Sequence, residues 1–226
     1  MPRVIVFDLV ETLLDPQALD RYFERFFDNA AIRKEWFVQT LQLALAAAVT
    51  NSYEDFGVQT DTGLEITARR YKVSMLGEEK NLILGTLRKL RPYSDVAVNL
   101  QRLRDAGLKL VILTNSTAET AEAQLTHAGL REHFEQVISA DEVKCFKPAA
   151  EVYHLAAKRL GVEPAALRIV SSHDWDVTGA LRSGCAASFV ARPDRVMNPF
   201  GPQPDSKGTD LNDITDKILA IELGQG

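Results

Sequence analysis

The sequence has little cysteine, no long apolar run and no concentration of basic residues, and each absence excludes a class of protein. Its two cysteines, Cys145 and Cys185, are too few for a disulfide framework and lack zinc-type spacing, so we expect reduced thiols and a cytoplasmic protein. No stretch approaches the roughly 18 apolar residues that span a bilayer, and the apolar run before Asp8 is too short for a secretory signal. These absences argue against membrane insertion and export.

Charge and length narrow the choice further. The net charge is −5 and no Lys/Arg cluster is present, whereas nucleic-acid-binding proteins need a basic face. We therefore expect a small-molecule partner and no nucleic acid. A chain of 226 residues suits either one globular domain or a core domain with a smaller inserted unit.

The first strand and the region after it have different periodicities. Residues 3–7 (RVIVF) form a compact, β-branched run that ends at Asp8, which is typical of a buried central strand. From Pro16 to about Arg91, apolar residues recur with helical spacing and no comparable strand appears. This pattern predicts an all-helical insert after the first strand.

Beyond Pro92, predicted helices and strands alternate. The predicted strands are 108–114, 136–139, 167–171 and 187–191. Short βαβ connections of this kind predict an α/β fold with a doubly wound, Rossmann-like parallel sheet. We expect a core domain of residues 1–14 and 92–226, a helical insert of residues 15–91 and a Pro/Gly-rich loop at 192–208.

Polar residues follow the carboxyl ends of the predicted strands, where ligands bind to an open parallel sheet. They are Asp8, Thr12, Thr114, Asn115, Lys147, Ser171, His173 and Asp176. Singly, each suits an ordinary turn or helix cap, but all of them converge if the sheet is doubly wound. The sequence therefore predicts a site at this edge of the sheet.

Four segments carry a family resemblance. VFDLVETLLD, LTNS, FKP and VSSHDWDVTGA resemble, in this order, the four motifs of the haloacid dehalogenase superfamily. Ser171, Ser172, Trp175 and Asp176 resemble the fourth motif of its L-2-haloacid dehalogenase (type II) branch. The resemblance covers nearly the whole chain. It implies a helical cap formed by the insert, a haloacid substrate and a homodimer that forms through the cap.

The resemblance implies a reaction and a set of catalytic residues. Small 2-haloacids would be hydrolysed to 2-hydroxy acids through an aspartyl ester on Asp8, which acts as the nucleophile. Lys147 would keep Asp8 ionised, because a nearby ammonium lowers the pKa of a carboxyl group. Thr12 would hydrogen-bond the nucleophile. Asp176 would orient or deprotonate the water that cleaves the ester, and Ser171 would fix the position of Asp176.

A second set of residues is expected to contact the substrate. It comprises Thr114, Asn115, Tyr153, His173, Trp175, Phe56, Phe37, Val10, Leu41 and Arg33. The apolar members would form a pocket around the halogenated carbon, where desolvation strengthens the attacking carboxylate.

Departures from the family pattern leave the substrate's anion partner open. The type II branch has an arginine where this chain has Phe37. Arg33, one helical turn earlier, and His173, as an imidazolium, are the two candidates to replace it. Glu11 stands where the first motif has a glycine. Its side chain either faces solvent or adds a negative charge beside Asp8 that must be offset.

The main alternative is a phosphatase, because most of the superfamily transfers phosphoryl groups. Phosphatase members have a second Asp in the first motif and metal-binding acids in the fourth, but Val10 and Ser172 stand at these places. Halide leaves without a proton, so we expect neither a metal nor another cofactor. The third possibility is a non-catalytic protein, or one with another substrate, on the same scaffold.

Overall fold

A parallel sheet forms the centre of the computed structural model, which describes residues 3–224. The strands, in chain order, are β1 (Val4–Phe7), β2 (Leu14–Asp15), β3 (Arg91–Pro92), β4 (Leu110–Thr114), β5 (Gln136–Ser139), β6 (Leu167–Ser171), β7 (Ala186–Val190) and β8 (Ser206–Gly208). Six of them pair in parallel in the order β5-β4-β1-β6-β7-β8. The chain builds one half of the sheet outward from β1, then the other half. The doubly wound α/β fold predicted from the sequence is confirmed.

Helices cover the sheet and fill the insert. They are α1 (Asp20–Phe27), α2 (Ile32–Thr50), α3 (Phe56–Arg70), α4 (Gly77–Leu87), α5 (Val96–Asp105), α6 (Ala118–His127), α7 (Ala150–Leu160), α8 (Asp174–Arg182) and α9 (Leu211–Leu223). The first four lie between β2 and β3, which pair antiparallel and so hold the two ends of the insert together. Within residues 3–224, no helix combines the length and the apolar character needed to cross a membrane.

The composition of β1 explains its central position. Ile5 and Phe7 pack into one hydrophobic cluster and Val6 into another, because successive side chains of a strand point to opposite faces. All three are fully buried. Each such side chain contributes roughly 1.5–3 kcal/mol on burial. A strand covered on both faces thus brings Asp8 to the middle of the sheet edge.

One strand lies inside the predicted 192–208 loop. β8 pairs in parallel with β7, and Ser188 Oγ and Ser206 Oγ are 2.7 Å apart. The prediction of a loop throughout this segment is therefore wrong at its end. The Ser-Lys-Gly sequence of β8 has no apolar or β-branched residue, and tertiary contacts alone select the extended conformation.

Gly179 allows α8 to pack closely against the loop that contains Lys147. A Cβ atom at this position would lie 2.5 Å from Pro148 Cβ and 2.7 Å from Tyr153 Oη, closer than atoms pack in proteins. Glycine at residue 179 therefore sets the distance between α8 and the Lys147-Pro148 segment.

We predict that Gly179→Ala lowers the free energy of unfolding by about 1–3 kcal/mol, because overpacking forces the backbone apart. Gly85→Ala is the matched control, since nothing lies within 4 Å of the added Cβ. It should stabilise α4 by roughly 0.5–1 kcal/mol. Urea unfolding of both variants measures the difference, and equal midpoints would contradict this account of Gly179.

Candidate active site

The site forms where the carboxyl ends of three central strands meet. Asp8 directly follows β1, Thr114 is the last residue of β4, and Ser171 is the last residue of β6. β4 and β6 flank β1 on its two sides, and the strand order reverses at this point of the sheet. Ligands bind at such points in open α/β sheets.

Lys147 connects two buried carboxylates. Its Nζ donates to Asp8 Oδ1 over 2.6 Å and to Asp176 Oδ2 over 2.9 Å, and it also donates to the Leu113 carbonyl oxygen over 3.0 Å. The Lys147 side chain is only 1% exposed. Its backbone N–H donates to Asn115 Oδ1 over 2.8 Å, which fixes the loop that carries it. One ammonium therefore satisfies three acceptors and is shared by two carboxylates.

The charges of this cluster stabilise one another. Burial opposes ionisation of Asp8, but the charges of Lys147 and His173, with hydrogen bonds from Lys147 and Thr12, hold the Asp8 pKa below its ordinary value. Burial also opposes the charged form of Lys147, yet Asp176 and Asp8 raise its pKa above the ordinary value. Asp8 is therefore an ionised carboxylate near neutral pH, as its predicted role as a nucleophile requires.

Tyr153 contacts the cluster formed by Lys147, Asp8 and Asp176. Its hydroxyl donates to Asp176 Oδ1 over 2.7 Å and is fully buried. Burial and the Asp176 charge hold the Tyr153 pKa well above its usual value, so the hydroxyl keeps its proton. The sequence places Tyr153 among the substrate-contacting residues, but in the structure its hydroxyl positions Asp176.

The turn after β1 is held by hydroxyl groups. Thr12 Oγ1 donates to Asp8 Oδ2 over 2.7 Å and accepts from the Ser172 backbone N–H over 3.0 Å. Ser171 Oγ accepts from the His173 backbone N–H over 3.1 Å. Within residues 3–224, no hydrogen bond joins Ser171 to Asp176, so Ser171 shapes the start of α8 without contacting that carboxylate.

A small, mostly apolar pocket opens onto Asp8. It is lined by Asp8, Val10, Phe37, Leu41, Phe56, Thr114, Asn115, Ser116, His173 and Trp175. Eight of these are predicted substrate-contacting residues, and Ser116 is an addition that follows directly from its place after Asn115. The pocket shares Val10, Phe37, Phe56 and Ser116 with a cavity of about 530 Å³ between the insert and the core. That cavity therefore adjoins the pocket at Asp8.

Arg33 lies outside this pocket. It lines a separate cavity, where its guanidinium pairs with Asp20 and its Nη1 lies 3.6 Å from Glu11 Oε1. The alternative that Arg33 reaches the substrate is therefore not supported by its position. Its partner carboxylates hold it away from the pocket rim.

Glu11 is buried rather than solvent-facing. It is 4% exposed, and its carboxylate pairs with Arg195 as well as Arg33. Sequence reasoning missed Arg195, although a buried glutamate needs a cationic partner and the 192–208 segment carries arginine. His173 Nε2 lies 3.8 Å from Glu11 Oε2 and 3.7 Å from Asp8 Oδ2.

The donor set near Asp8 does not favour a hard dication. Within the described residues, no three His, Cys, Asp or Glu side chains come together in a way that could hold a metal ion. Val10 and Ser172 add no carboxylate, and the Lys147 ammonium already occupies the space between Asp8 and Asp176.

Comparisons with known proteins agree with this geometry. A family model for haloacid dehalogenase-like hydrolases matches residues 2–184. The (S)-2-haloacid dehalogenase of Pseudomonas sp. (strain YL) is 31% identical and aligns over 94% of this chain and 92% of its own length. That of Xanthobacter autotrophicus is 33% identical over 85% of this chain and 76% of its own length. The solved structure of L-2-haloacid dehalogenase from Xanthobacter autotrophicus with chloropropionic acid covalently bound has a TM-score of 0.89 at 27% identity, covering 96% of this chain and 98% of that one.

We predict that Lys147→Met lowers the free energy of unfolding at pH 7 by about 3–5 kcal/mol, because it leaves two buried carboxylates without a cation. In the wild type, the depressed Asp8 pKa stabilises the fold above the ordinary carboxyl pKa, and this contribution is lost as pH falls through the folded pKa. The variant should lose this contribution, so the acid limb of its stability profile should move to higher pH.

Lys144→Met is the matched control for this prediction. Lys144 is exposed and pairs with Asp141, so its loss should cost at most about 1 kcal/mol. Urea unfolding from pH 4 to 8 measures both effects. Equal losses in the two variants would show that the Lys147 cluster does not stabilise the fold.

Proposed function

The chain belongs to the haloacid dehalogenase-like hydrolases, and we propose that it hydrolyses the carbon–halogen bond of small 2-haloacids to give 2-hydroxy acids through an ester on Asp8. The names of its relatives support this substrate class. The arrangement of Asp8, Lys147 and Asp176 also supports it, because it suits the formation and hydrolysis of an ester on Asp8.

One observation carries the proposal: an ionised carboxylate faces a small apolar pocket that holds no second acid. Asp8 is ionised by Lys147, and Val10, where phosphatase members have an acid, contributes only a hydrocarbon surface. Hydrolysis of a phosphate ester expels the alcohol as an alkoxide, which needs a proton donor, whereas halide leaves as a stable anion. The pocket is therefore suited to carbon–halogen bonds.

The first step is a nucleophilic displacement. An oxygen of Asp8 attacks the carbon that bears the halogen, the new carbon–oxygen bond forms, and the halide leaves with the electron pair of the broken bond. The hydrogen bonds from Lys147 and Thr12 orient the carboxylate. The surrounding aromatic side chains keep water away from the attacking oxygen.

The second step is ester hydrolysis. Water attacks the Asp8 carboxyl carbon, Asp176 accepts its proton, and cleavage of the bond between this carbon and the ester oxygen releases the product as an alkoxide that takes up a proton. The water oxygen remains in the Asp8 carboxylate, and one proton is released per turnover. Lys147 and Tyr153 hold Asp176 in position for this step.

The substrate's own carboxylate needs partners in the pocket, because an unpaired buried charge is costly. Asn115 is a suitable donor: its Oδ1 accepts from the Lys147 backbone, which leaves the amide N–H groups for the substrate. Thr114 adds a polar surface, and His173 is the candidate cation that lines the pocket.

We also propose that the protein acts in the cytoplasm as a homodimer. Both cysteines are free, which suits a reducing compartment. The insert exposes Val38, Leu45 and Val49 along one side of α2, and a second copy would cover this apolar stripe.

Asp8→Asn should abolish halide release from 2-chloropropionate and 2-bromopropionate while the fold stays intact, because the amide keeps the shape without the nucleophilic charge. Asp15→Asn is the matched control, since its oxygen only caps the turn after β2 and asparagine caps equally well. Substantial halide release by Asp8→Asn would contradict the role of Asp8.

The same assay separates the alternatives. Halide release should be unchanged by EDTA and by added magnesium. Hydrolysis of phosphate esters that EDTA abolishes and magnesium restores would favour a phosphatase. No turnover of either substrate class would favour a non-catalytic protein or one with another substrate.

A further inference from the structure

His173 is the one side chain lining the Asp8 pocket, within the described part of the chain, that can carry a positive charge. The remaining lining residues are apolar, neutral or acidic. Phe37 offers no charge, and Lys147 is shared between Asp8 and Asp176. A haloacid brings one anion into this pocket and releases a second, the halide.

The His173 ring contacts two aromatic side chains and a backbone carbonyl oxygen. The ring is stacked with Phe37 and with Trp175, with centroids 6.3 Å and 4.9 Å away and interplanar angles of 27° to both. Aromatic faces attract cations. His173 Nε2 is 3.3 Å from the Val10 carbonyl oxygen, which requires a hydrogen on this nitrogen.

Two carboxylates face the same nitrogen. Asp8 Oδ2 lies 3.7 Å from His173 Nε2 and Glu11 Oε2 lies 3.8 Å from it. The positive end of α8 begins next to His173 and opposes a cation there. These two carboxylates favour a cation at His173, although Asp8 also contacts Lys147 and Glu11 also contacts Arg195 and Arg33.

The backbone conformation of Glu11 is unfavourable for a residue other than glycine, and its carboxylate is shielded from solvent. Its φ is 67°, in the left-handed region that favours glycine, and it is 4% exposed. A strained, buried acid beside a nucleophilic acid is stable only when its charge is matched. Arg195 and Arg33 both contact its carboxylate.

The charges connected through these contacts balance when His173 is an imidazolium. The carboxylates in contact are Asp8, Glu11, Asp20 and Asp176, and the fixed cations are Lys147, Arg33 and Arg195. With a neutral His173 the connected cluster carries one excess negative charge, which an imidazolium beside Asp8 offsets, and the outer members Asp20 and Arg195 are partly exposed.

We propose that Glu11 is a positioning residue that holds His173 as an imidazolium beside Asp8, and that His173 supplies the positive charge for the substrate carboxylate or the departing halide that Phe37 cannot supply. This inference rests on the proposed function for its ligand. The effect of Glu11 on His173 can be measured without turnover. An experiment can therefore contradict this inference and the proposed function separately.

The test measures the protonation of the His173 ring and the binding of anions, and neither measurement requires turnover. Imidazole NMR signals of wild type, Glu11→Gln, Glu11→Gly and Asp20→Asn are recorded from pH 5 to 9. We expect the ring to lose its proton at clearly lower pH in both Glu11 variants than in the wild type. Asp20→Asn is the matched control, because Asp20 pairs with the same Arg33 but the structure gives it no contact with His173.

Glu11→Gly keeps the test valid if Glu11→Gln folds poorly, since glycine relieves the positive φ. A ring that is neutral throughout this pH range in the wild type, or that titrates identically in the Glu11 variants, would overturn the proposal.

Anion binding identifies the ligand. Sodium bromide and lactate are titrated separately at pH 8 into wild type, Glu11→Gln and His173→Asn. At least tenfold weaker binding of bromide in both variants indicates that His173 holds the halide, and the same loss for lactate indicates the carboxylate. Unchanged affinity for both anions would overturn the role of His173, whether or not the protein releases halide from haloacids.

Discussion

The ammonium group of Lys147 lies between the carboxylates of Asp8 and Asp176, and the active-site chemistry depends on this contact. Two buried carboxylates in one site would repel each other, and one of them would hold a proton at neutral pH. The shared cation keeps Asp8 ionised, as the proposed attack requires, and holds the Asp176 carboxylate beside it. The same contact stabilises the fold, so catalysis and stability are coupled at this residue.

The sheet topology creates this contact from distant parts of the chain. Asp8 and Asp176 follow neighbouring strands, β1 and β6, while Lys147 arrives from the loop after β5. Close packing at Gly179 brings that loop against α8. The insert then covers the carboxyl edge of the sheet and contributes Phe37, Leu41 and Phe56 to the pocket. The sheet therefore supplies the charges, and the insert supplies the apolar surface that shields them.

Sequence reasoning predicts the parts of this arrangement that depend on local pattern. The strand predicted at 167–171 is observed as Leu167–Ser171, because a buried β-branched run between turns has few alternative conformations. The environment of Glu11 could not be predicted, since its partner Arg195 is 184 residues away in sequence. Helical spacing alone makes Arg33 a candidate for contact with the substrate. Its ion pairs with Asp20 and Glu11 instead determine the position of its guanidinium group. Ion pairs between distant segments leave no periodic signal in the sequence.

The covalent role of Asp8 is tested most directly by a single turnover of 2-chloropropionate with excess enzyme in ¹⁸O-labelled water. The account predicts a lactate hydroxyl that carries ordinary oxygen from the Asp8 carboxylate, and one ¹⁸O atom incorporated into Asp8, detectable by mass spectrometry of the peptide that contains it. Lactate that carries ¹⁸O after this first turnover, with an unlabelled Asp8, would mean that water attacks the substrate directly and would contradict the ester mechanism.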